Sequence, residues 1–257
     1  MIVILNCRHD VGLSEQLRRA WAICKKNIRI YYLKGPIIIF GILLPVFMFA
    51  AFLIGRDLNL DFLISSLTAM TIFFTSTAVV PLVMPWETRS RTLERLISCP
   101  VSTSTIILGD VSASFLFGIL FSLVPLVIGM SLGVTLMHPE TFILGVLLAS
   151  FCFSALAAIL STPPTDIPAN VMMLSTLVKF PLLFISGVFI PIEKLPSWAR
   201  LIASASPLTY FTDLATYSIE GATYYSVLLD LIVLTGFALL FLVIAVKLHE
   251  KNIPKRL

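Results

Sequence analysis

Six long apolar runs fill most of the chain and limit its fold more than any other feature. At about 1.5 Å of helical rise per residue, each run is long enough to cross the roughly 30 Å hydrocarbon core of a bilayer. The composition agrees, because 58% of the residues are hydrophobic, above the ~45–50% that is usual for soluble domains. The sequence therefore predicts an all-α membrane protein with six transmembrane helices, near residues 36–54, 62–84, 106–136, 142–160, 171–190 and 227–246.

The third run is too long for one perpendicular crossing. Asp110 stands in its first turns and Pro125 in its second half. We therefore expect a cytosolic first turn, followed by a tilted or kinked helix.

Residues 1–35 precede the first run and have a character of their own. The chain starts with only a few apolar residues, and its charge follows them, whereas a signal peptide has its charge before a longer apolar run. We therefore expect that this region is not cleaved off. Leu17, Trp21, Cys24 and Ile28 recur at helical spacing among several Lys and Arg residues. The pattern predicts an amphipathic helix in the membrane interface. A solvated lead-in helix is the alternative.

Lys and Arg residues fall mostly on one side of the predicted membrane. Seven lie in residues 1–35, three in the loop 85–105 and four in the C-terminal tail, against three in the opposite loops and Lys179 inside a run. Cytosolic loops carry an excess of Lys and Arg. We therefore expect the protein to lie in the cytoplasmic membrane, with both termini and the basic tail 249–257 in the cytosol. The loop 161–170 would also be cytosolic, although it has no Lys or Arg.

A charged segment, PWETRSRTLERLISCP at residues 85–100, separates the second and third runs. Five of its sixteen residues are charged, in a chain that is 12% charged overall. On a helical wheel the apolar side holds Trp86, Leu93 and Ile97, and the charged side holds Glu87, Arg91, Glu94 and Arg95. Glu87 and Arg91 would form an i,i+4 ion pair. The pattern predicts one short amphipathic helix, and by physics alone it is either a docking helix or a solvated loop helix.

A second segment, residues 191–225, follows the fifth run on the opposite side. Trp198, Leu201 and Ile202 have helical spacing, and Phe211 lies in a less regular stretch after Pro207. The spacing predicts two short helices, which either re-enter the outer leaflet or lie on the surface.

Three ionisable residues lie in or near the runs, where charge is costly and a function is the first hypothesis. Lys179 is about nine residues into the fifth run. It could line a pathway, pair with Asp110 or Asp230, or extend its stem to the interface. Asp110 and Asp230 lie near the ends of their runs, which favours interfacial positions for both.

Several function classes have no support in the sequence. The patterns H-E-x-x-H, G-x-S-x-G and G-x-x-x-x-G-K-[ST] are absent, and the four cysteines have no C-x-x-C spacing. We therefore expect no catalytic residues, no metal site and no bound nucleotide in this chain. The net charge is +4, and the charges are distributed by side of the membrane and not gathered in one patch, which argues against nucleic-acid binding. A transporter, either ATP-driven or ion-coupled through Lys179, and a non-transporting scaffold remain.

Two motifs resemble those of a known family. Glu87, Thr92, Leu93, Glu94, Leu96 and Pro100 resemble the pattern E-x-x-x-G-T-L-E-x-L-x-x-x-P, which follows the second span in type-2 permease subunits of ATP-binding-cassette exporters of the daunorubicin-resistance and nodulation-factor kind. The stretches FISGVFIPIEKLPSW and SPLTYFTD, within residues 184–213, resemble a second region of these permeases. Arg91 departs from the pattern, because the family often has glycine there.

The resemblance implies a role for each segment. Residues 85–100 would be a coupling helix that docks on a separate ATPase subunit, which binds Mg-ATP. The docking contacts would be Glu87, Arg91, Glu94 and Arg95, and the anchor would be Trp86, Leu93 and Ile97. Residues 191–225 would be re-entrant helices that gate the exit, with Pro191, Trp198, Pro207 and Phe211 among them. Residues 36–248 would form a six-helix permease domain, and a second permease subunit, identical or different, would pair with it. The cargo would be a lipophilic drug, lipid or glycolipid.

Overall fold

A computed structural model of the protein describes residues 12–34, 43, 46–47, 50–51, 59–99 and 101–255. Most of these residues are helical, the others lie in turns and loops, and none of them forms a strand. One π-helical turn, Ile28–Tyr32, continues the first helix. The helices are α1 Leu13–Asn27, α2 Leu60–Ala78, α3 Val80–Arg89, α4 Thr92–Ser98, α5 Thr103–Ser131, α6 Pro139–Leu160, α7 Pro168–Ile185, α8 Ser197–Ala203, α9 Pro207–Glu220 and α10 Val227–Asn252.

Five stretches of the described chain are long and apolar enough to cross a membrane. They are α2 with α3 (Leu60–Arg89), α5, α6, α7 and α10. They correspond to the second to sixth apolar runs, so the all-helical class is confirmed, and these five runs form helices long and apolar enough to span. The predicted first span, 36–54, lies mostly outside the described residues, which include only 43, 46–47 and 50–51 of it.

Side-chain caps and glycines set several of the helix ends. Ser102 accepts a hydrogen bond from the amide of Thr105 at 3.1 Å and starts α5, as expected for an N-cap serine. Gly221 ends α9 with φ +75°, a conformation that a Cβ disfavours. The third span was predicted to end at residue 136 but ends earlier, at Ser131, because Gly133 turns the chain at φ +93°. Within that span α5 continues through Pro125 as one helix.

The core surrounds α6, against which α2, α5, α9 and α10 pack. The rings of Phe73 and Phe153 meet edge to face at 5.1 Å between centroids. α2 is nearly all enclosed, whereas α7 and α10 are mostly not buried and expose several large apolar side chains. These outer faces are where lipid or another subunit would lie.

Close approach between α1 and α5 depends on one glycine. A Cβ at Gly109 would lie 2.7 Å from Cβ of Ile23 and 2.9 Å from the carbonyl oxygen of Ala20. Neither atom can move without moving α1. Small residues at helix contacts allow this kind of backbone proximity.

We predict that Gly109→Ala lowers the stability of the protein by about 1–3 kcal/mol, the usual cost of overpacking. Gly236→Ala on α10 is the matched control, because no described atom lies within 4 Å of a Cβ there. That control should melt like the wild type or slightly higher, since alanine favours helix. Thermal unfolding in one detergent checks both variants. Equal melting temperatures for the two would contradict the close contact.

Candidate functional site

The charged segment folds as two helices rather than the single helix predicted for residues 85–100. α3 ends at Arg89, and the amide of Ser90 donates to the carbonyl of Trp86 at 2.9 Å. Arg91 then takes the left-handed conformation, with φ 55° and ψ 23°, and α4 begins at Thr92. The predicted ion pair between Glu87 and Arg91 required an uninterrupted helix and does not form.

The break lies at the position where the resembling pattern has glycine. A Cβ is unfavourable in the left-handed region, and glycine is the residue that enters it freely. The pattern's glycine and the positive φ of Arg91 therefore have one explanation: the chain turns sharply between α3 and α4. Arg91 takes the turn that glycine would take.

α4 presents charge outward and an apolar side chain inward. Arg89, Arg91, Glu94 and Arg95 are exposed, whereas Leu93 is 1% exposed. Leu93 belongs to a buried apolar cluster with Met84 of α3 and Ile107 of α5. Ile97 is half-buried and packs against the same cluster. Leu93 thereby fixes a short charged helix on the end of the bundle. We call residues 89–95 the charged turn.

Glu87 does not lie on the exposed charged face on which the helical wheel placed it. It is 2% exposed, and its carboxylate accepts a hydrogen bond from the Lys26 ammonium of α1. The wheel was wrong because it extended one helix through Arg91, whereas Glu87 belongs to α3. Trp86 also faces the N-terminal region, where its ring stacks on Tyr31 at 5.4 Å with 18° between the planes.

Asp110 is buried within the bundle, at 2% exposure. Its Oδ1 accepts a hydrogen bond from Nδ2 of Asn27 at 2.5 Å. Asn27 directly follows Lys26, so two adjacent residues of α1 bind α5 and α3. Sequence reasoning missed both, because neither belongs to the apolar stripe that defined the N-terminal helix.

That stripe is divided in the structure. Leu17 and Trp21 are exposed, as expected for a helix in the membrane interface, whereas Cys24 is fully buried against the bundle. α1 packs along α5, and the hydroxyl of Thr105 donates to Oε1 of Gln16 at 2.5 Å. The N-terminal helix is therefore an integral part of the end of the bundle that carries the charged turn.

Lys179 pairs with neither Asp110 nor Asp230. Its side chain is 7% exposed, and Nζ donates to the backbone carbonyl of Thr77 at 2.6 Å. Within the described residues no carboxylate lies at ion-pair distance from it. Because the amine is buried, it does not extend to the interface either. Asp230 is also fully buried, with its carboxyl beside that of Asp213.

The segment 191–225 contains two short helices, α8 and α9, in line with the spacing. They differ in burial: Trp198 on α8 is 67% exposed, whereas Phe211 on α9 is 1% exposed. Pro207 is the first residue of α9 and is buried. Asp213 on α9 accepts hydrogen bonds from the amides of Tyr224 at 2.9 Å and Tyr225 at 2.8 Å. It thereby fixes the turn that leads into α10, a role that no sequence pattern had indicated.

A cavity of about 400 Å³ opens beside these helices. Pro191 and the acidic residues Glu193, Asp213 and Glu220 contribute to its lining. Burial raises the pKa of the Glu220 carboxyl, and the neighbouring Asp61 and Glu193 raise it further. In the part of the chain that the structure describes, no group of three or more His, Cys, Asp and Glu residues could hold a metal ion.

We predict that Arg91→Gly melts at or above the wild-type temperature. The left-handed turn costs a residue with a Cβ roughly 1–2 kcal/mol, which exceeds the roughly 0.5–1 kcal/mol that glycine loses through its greater freedom when unfolded. Arg91→Val should melt lower than the wild type, because a branched Cβ disfavours this conformation further. Thermal unfolding of the three proteins checks the order. A glycine variant less stable than the valine variant would exclude the positive φ.

We also predict that Lys26→Met destabilises the protein by about 1–3 kcal/mol, because it leaves the buried Glu87 carboxylate unpaired. Lys25→Met is the matched control, since Lys25 is the preceding residue of the same helix and is exposed. The double variant Lys26→Met/Glu87→Met should recover most of the loss, because it leaves no unpaired charge. Melting temperatures test this order. If Lys26→Met melts like Lys25→Met, the ion pair does not hold α1.

Comparison with known proteins identifies the family. Residues 55–247, well over half of the chain, match the family described as ABC-2 family transporter protein. A stretch of 104 residues is 29% identical to the daunorubicin resistance ABC transporter permease protein DrrB1 of Streptomyces coeruleorubidus. This stretch covers 40% of the chain and 35% of that relative, so the chain matches about a third of the relative's length. The chain is a multi-pass membrane protein that belongs to the ABC-2 transporter family.

Proposed function

We propose that this protein is the membrane-spanning permease subunit of an ATP-binding-cassette exporter. It would cross the cytoplasmic membrane six times with both termini in the cytosol, and a separate ATPase subunit would bind and hydrolyse Mg-ATP. The charged turn of α3–α4 carries this proposal. It combines exposed charges with a buried anchor, Leu93. A surface that transmits force from a partner subunit requires both.

The contacts around the turn support a mechanical role. α3 continues from the most enclosed span, and Glu87 and Trp86 bind it to α1. α4 follows the left-handed Arg91, and its Leu93 packs in a buried apolar cluster. Force applied to the charged face would therefore reach α1, α3 and α5 together. The exposed residues Arg91, Glu94 and Arg95 would contact the ATPase, together with Arg89.

The outer faces of the bundle suggest where the second subunit and the cargo would lie. α7 and α10 expose large apolar side chains such as Met173, Leu177 and Leu228. In a bilayer these faces would contact lipid or a second permease subunit, of the same or another chain. A cargo that moves along such a boundary would be lipophilic, for example a drug, a lipid or a glycolipid. α8 and α9 would gate its exit on the outer side.

Ion-coupled transport through Lys179 has less support. An ion-coupled carrier needs ionisable groups that exchange partners during the cycle. The amine of Lys179 instead donates to a backbone carbonyl, and no carboxylate within the described residues pairs with it. The cheapest discriminating measurement is whether transport needs ATP and an ATPase subunit or an ion gradient. A non-transporting scaffold would show neither dependence.

We predict that Glu94→Arg separates ATP hydrolysis from transport. The exposed carboxylate makes no ion pair within the described chain, so its reversal should leave the melting temperature unchanged. Transport by vesicles that contain the permease and its co-purified ATPase should fall about tenfold, the effect of losing roughly 1.4 kcal/mol of contact free energy. The measurement is the amount of fluorescent lipophilic cargo moved per ATP hydrolysed.

Glu250→Arg is the matched control, because Glu250 is exposed near the end of α10 and its reversal removes the same charge. It should transport like the wild type. Undiminished transport by Glu94→Arg would exclude the charged turn as the docking contact. Wild-type transport that follows an ion gradient and ignores ATP would exclude the permease assignment itself.

A further inference from the structure

The longest span of the described chain is interrupted between α2 and α3. In an uninterrupted helix the carbonyl of Thr77 would accept a hydrogen bond from the amide four residues later. That residue is Pro81, which has no amide hydrogen. The amide of Leu82 donates to the carbonyl of Val79 at 2.9 Å, three residues back instead of four. The helix therefore breaks at Val79, with φ −106° and ψ −42°, and the Thr77 carbonyl has no helical donor.

Lys179 supplies the missing donor. Its Nζ lies 2.6 Å from the Thr77 oxygen, although the two residues are 102 positions apart. Both partners would be costly alone, because a buried carbonyl without a donor and a buried ammonium without an acceptor each lose their hydration. Their hydrogen bond offsets part of both costs. The Thr77 carbonyl lacks a helical donor because the helix breaks there. The hydrogen bond from Lys179 therefore attaches α7 at the break.

The break lies on the direct path between the charged turn and α7. From Val80 the chain continues without interruption through α3 to Arg89 and the charged turn. One turn before the break, the ring of Phe74 meets that of Phe180 on α7 edge to face at 6.2 Å. α3 itself packs against α7. A displacement of α4 would therefore tilt α3 about Val79, next to the side chain that α7 extends to this point.

We propose that Lys179 is a positioning residue that clamps the α2–α3 break to α7, so that movement of the charged turn is passed to α7. The effect on transport rests on the proposed function. The clamp itself concerns only how α3 and α7 are held together. Neither a cargo-lining lysine nor an interfacial one would depend on Pro81. The dependence of Lys179 on Pro81 is therefore the property to test.

The first test measures the clamp without the ATPase. Spin labels are placed at Arg89→Cys on α3 and Asn170→Cys on α7, both exposed, after the four native cysteines are replaced by serine. Lys179→Met should broaden the distribution of distances between the labels by at least twofold, and Lys179→Arg should not, since it keeps a charged donor. In a Pro81→Ala background Lys179→Met should have no such effect, because the amide restored at position 81 donates to the Thr77 carbonyl. Equal broadening in both backgrounds, or none in either, would overturn the clamp.

The second test measures transport per ATP hydrolysed in vesicles that contain the permease and its ATPase. Lys179→Met should reduce this ratio about tenfold while ATP hydrolysis continues, and Lys179→Arg should restore most of it. A ratio equal to that of the wild type in Lys179→Met would overturn the proposed transmission to α7. If the wild type itself moves nothing with ATP, the exporter assignment fails instead, and the distance measurement still decides the clamp.

Discussion

The structure depends on one constraint: inside a bilayer, every buried polar group must find its partner within the protein. Three buried threonines of α2 meet this constraint within their own helix. The hydroxyls of Thr68, Thr71 and Thr75 donate to carbonyls one turn earlier, at 2.7, 2.8 and 2.6 Å. Where Pro81 removes a backbone donor, Lys179 replaces it from another helix. The most enclosed span is therefore held to α7 by a hydrogen bond as well as by apolar packing.

The same constraint explains the N-terminal helix. Glu87 and Asp110 bring two carboxylates into the interior at the end of the bundle that carries the charged turn. Lys26 and Asn27 each donate a hydrogen bond to one of these carboxylates, so a single turn of α1 binds both α3 and α5. A helix that amphipathic patterning alone would leave on the membrane surface thus becomes a structural support. Its exposed apolar face, with Trp21, remains available to the interface.

Hydropathy predicted the second to sixth spans because apolar length is a local property that one stretch of sequence carries. The contacts of the site are not local. The acceptor of Lys179 is a carbonyl 102 residues earlier, and the only sequence signal for it is a proline four positions after Thr77. The break at Arg91 was missed because arginine gives no sign of a left-handed turn; the glycine of the family pattern was the available clue. With the break unknown, the helical wheel assigned Glu87 to the wrong face.

The break also allows one short segment to be anchored and exposed at once. Glu87 and Glu94 are seven residues apart, and seven residues of uninterrupted helix return to within about 20° of the starting direction. On one helix both carboxylates would share a face, so burying Glu87 would also bury Glu94. The left-handed Arg91 redirects the chain between them. Glu87 can then bind Lys26 inside the bundle while Glu94 faces outward, which is the arrangement that a contact between a membrane bundle and a separate subunit requires.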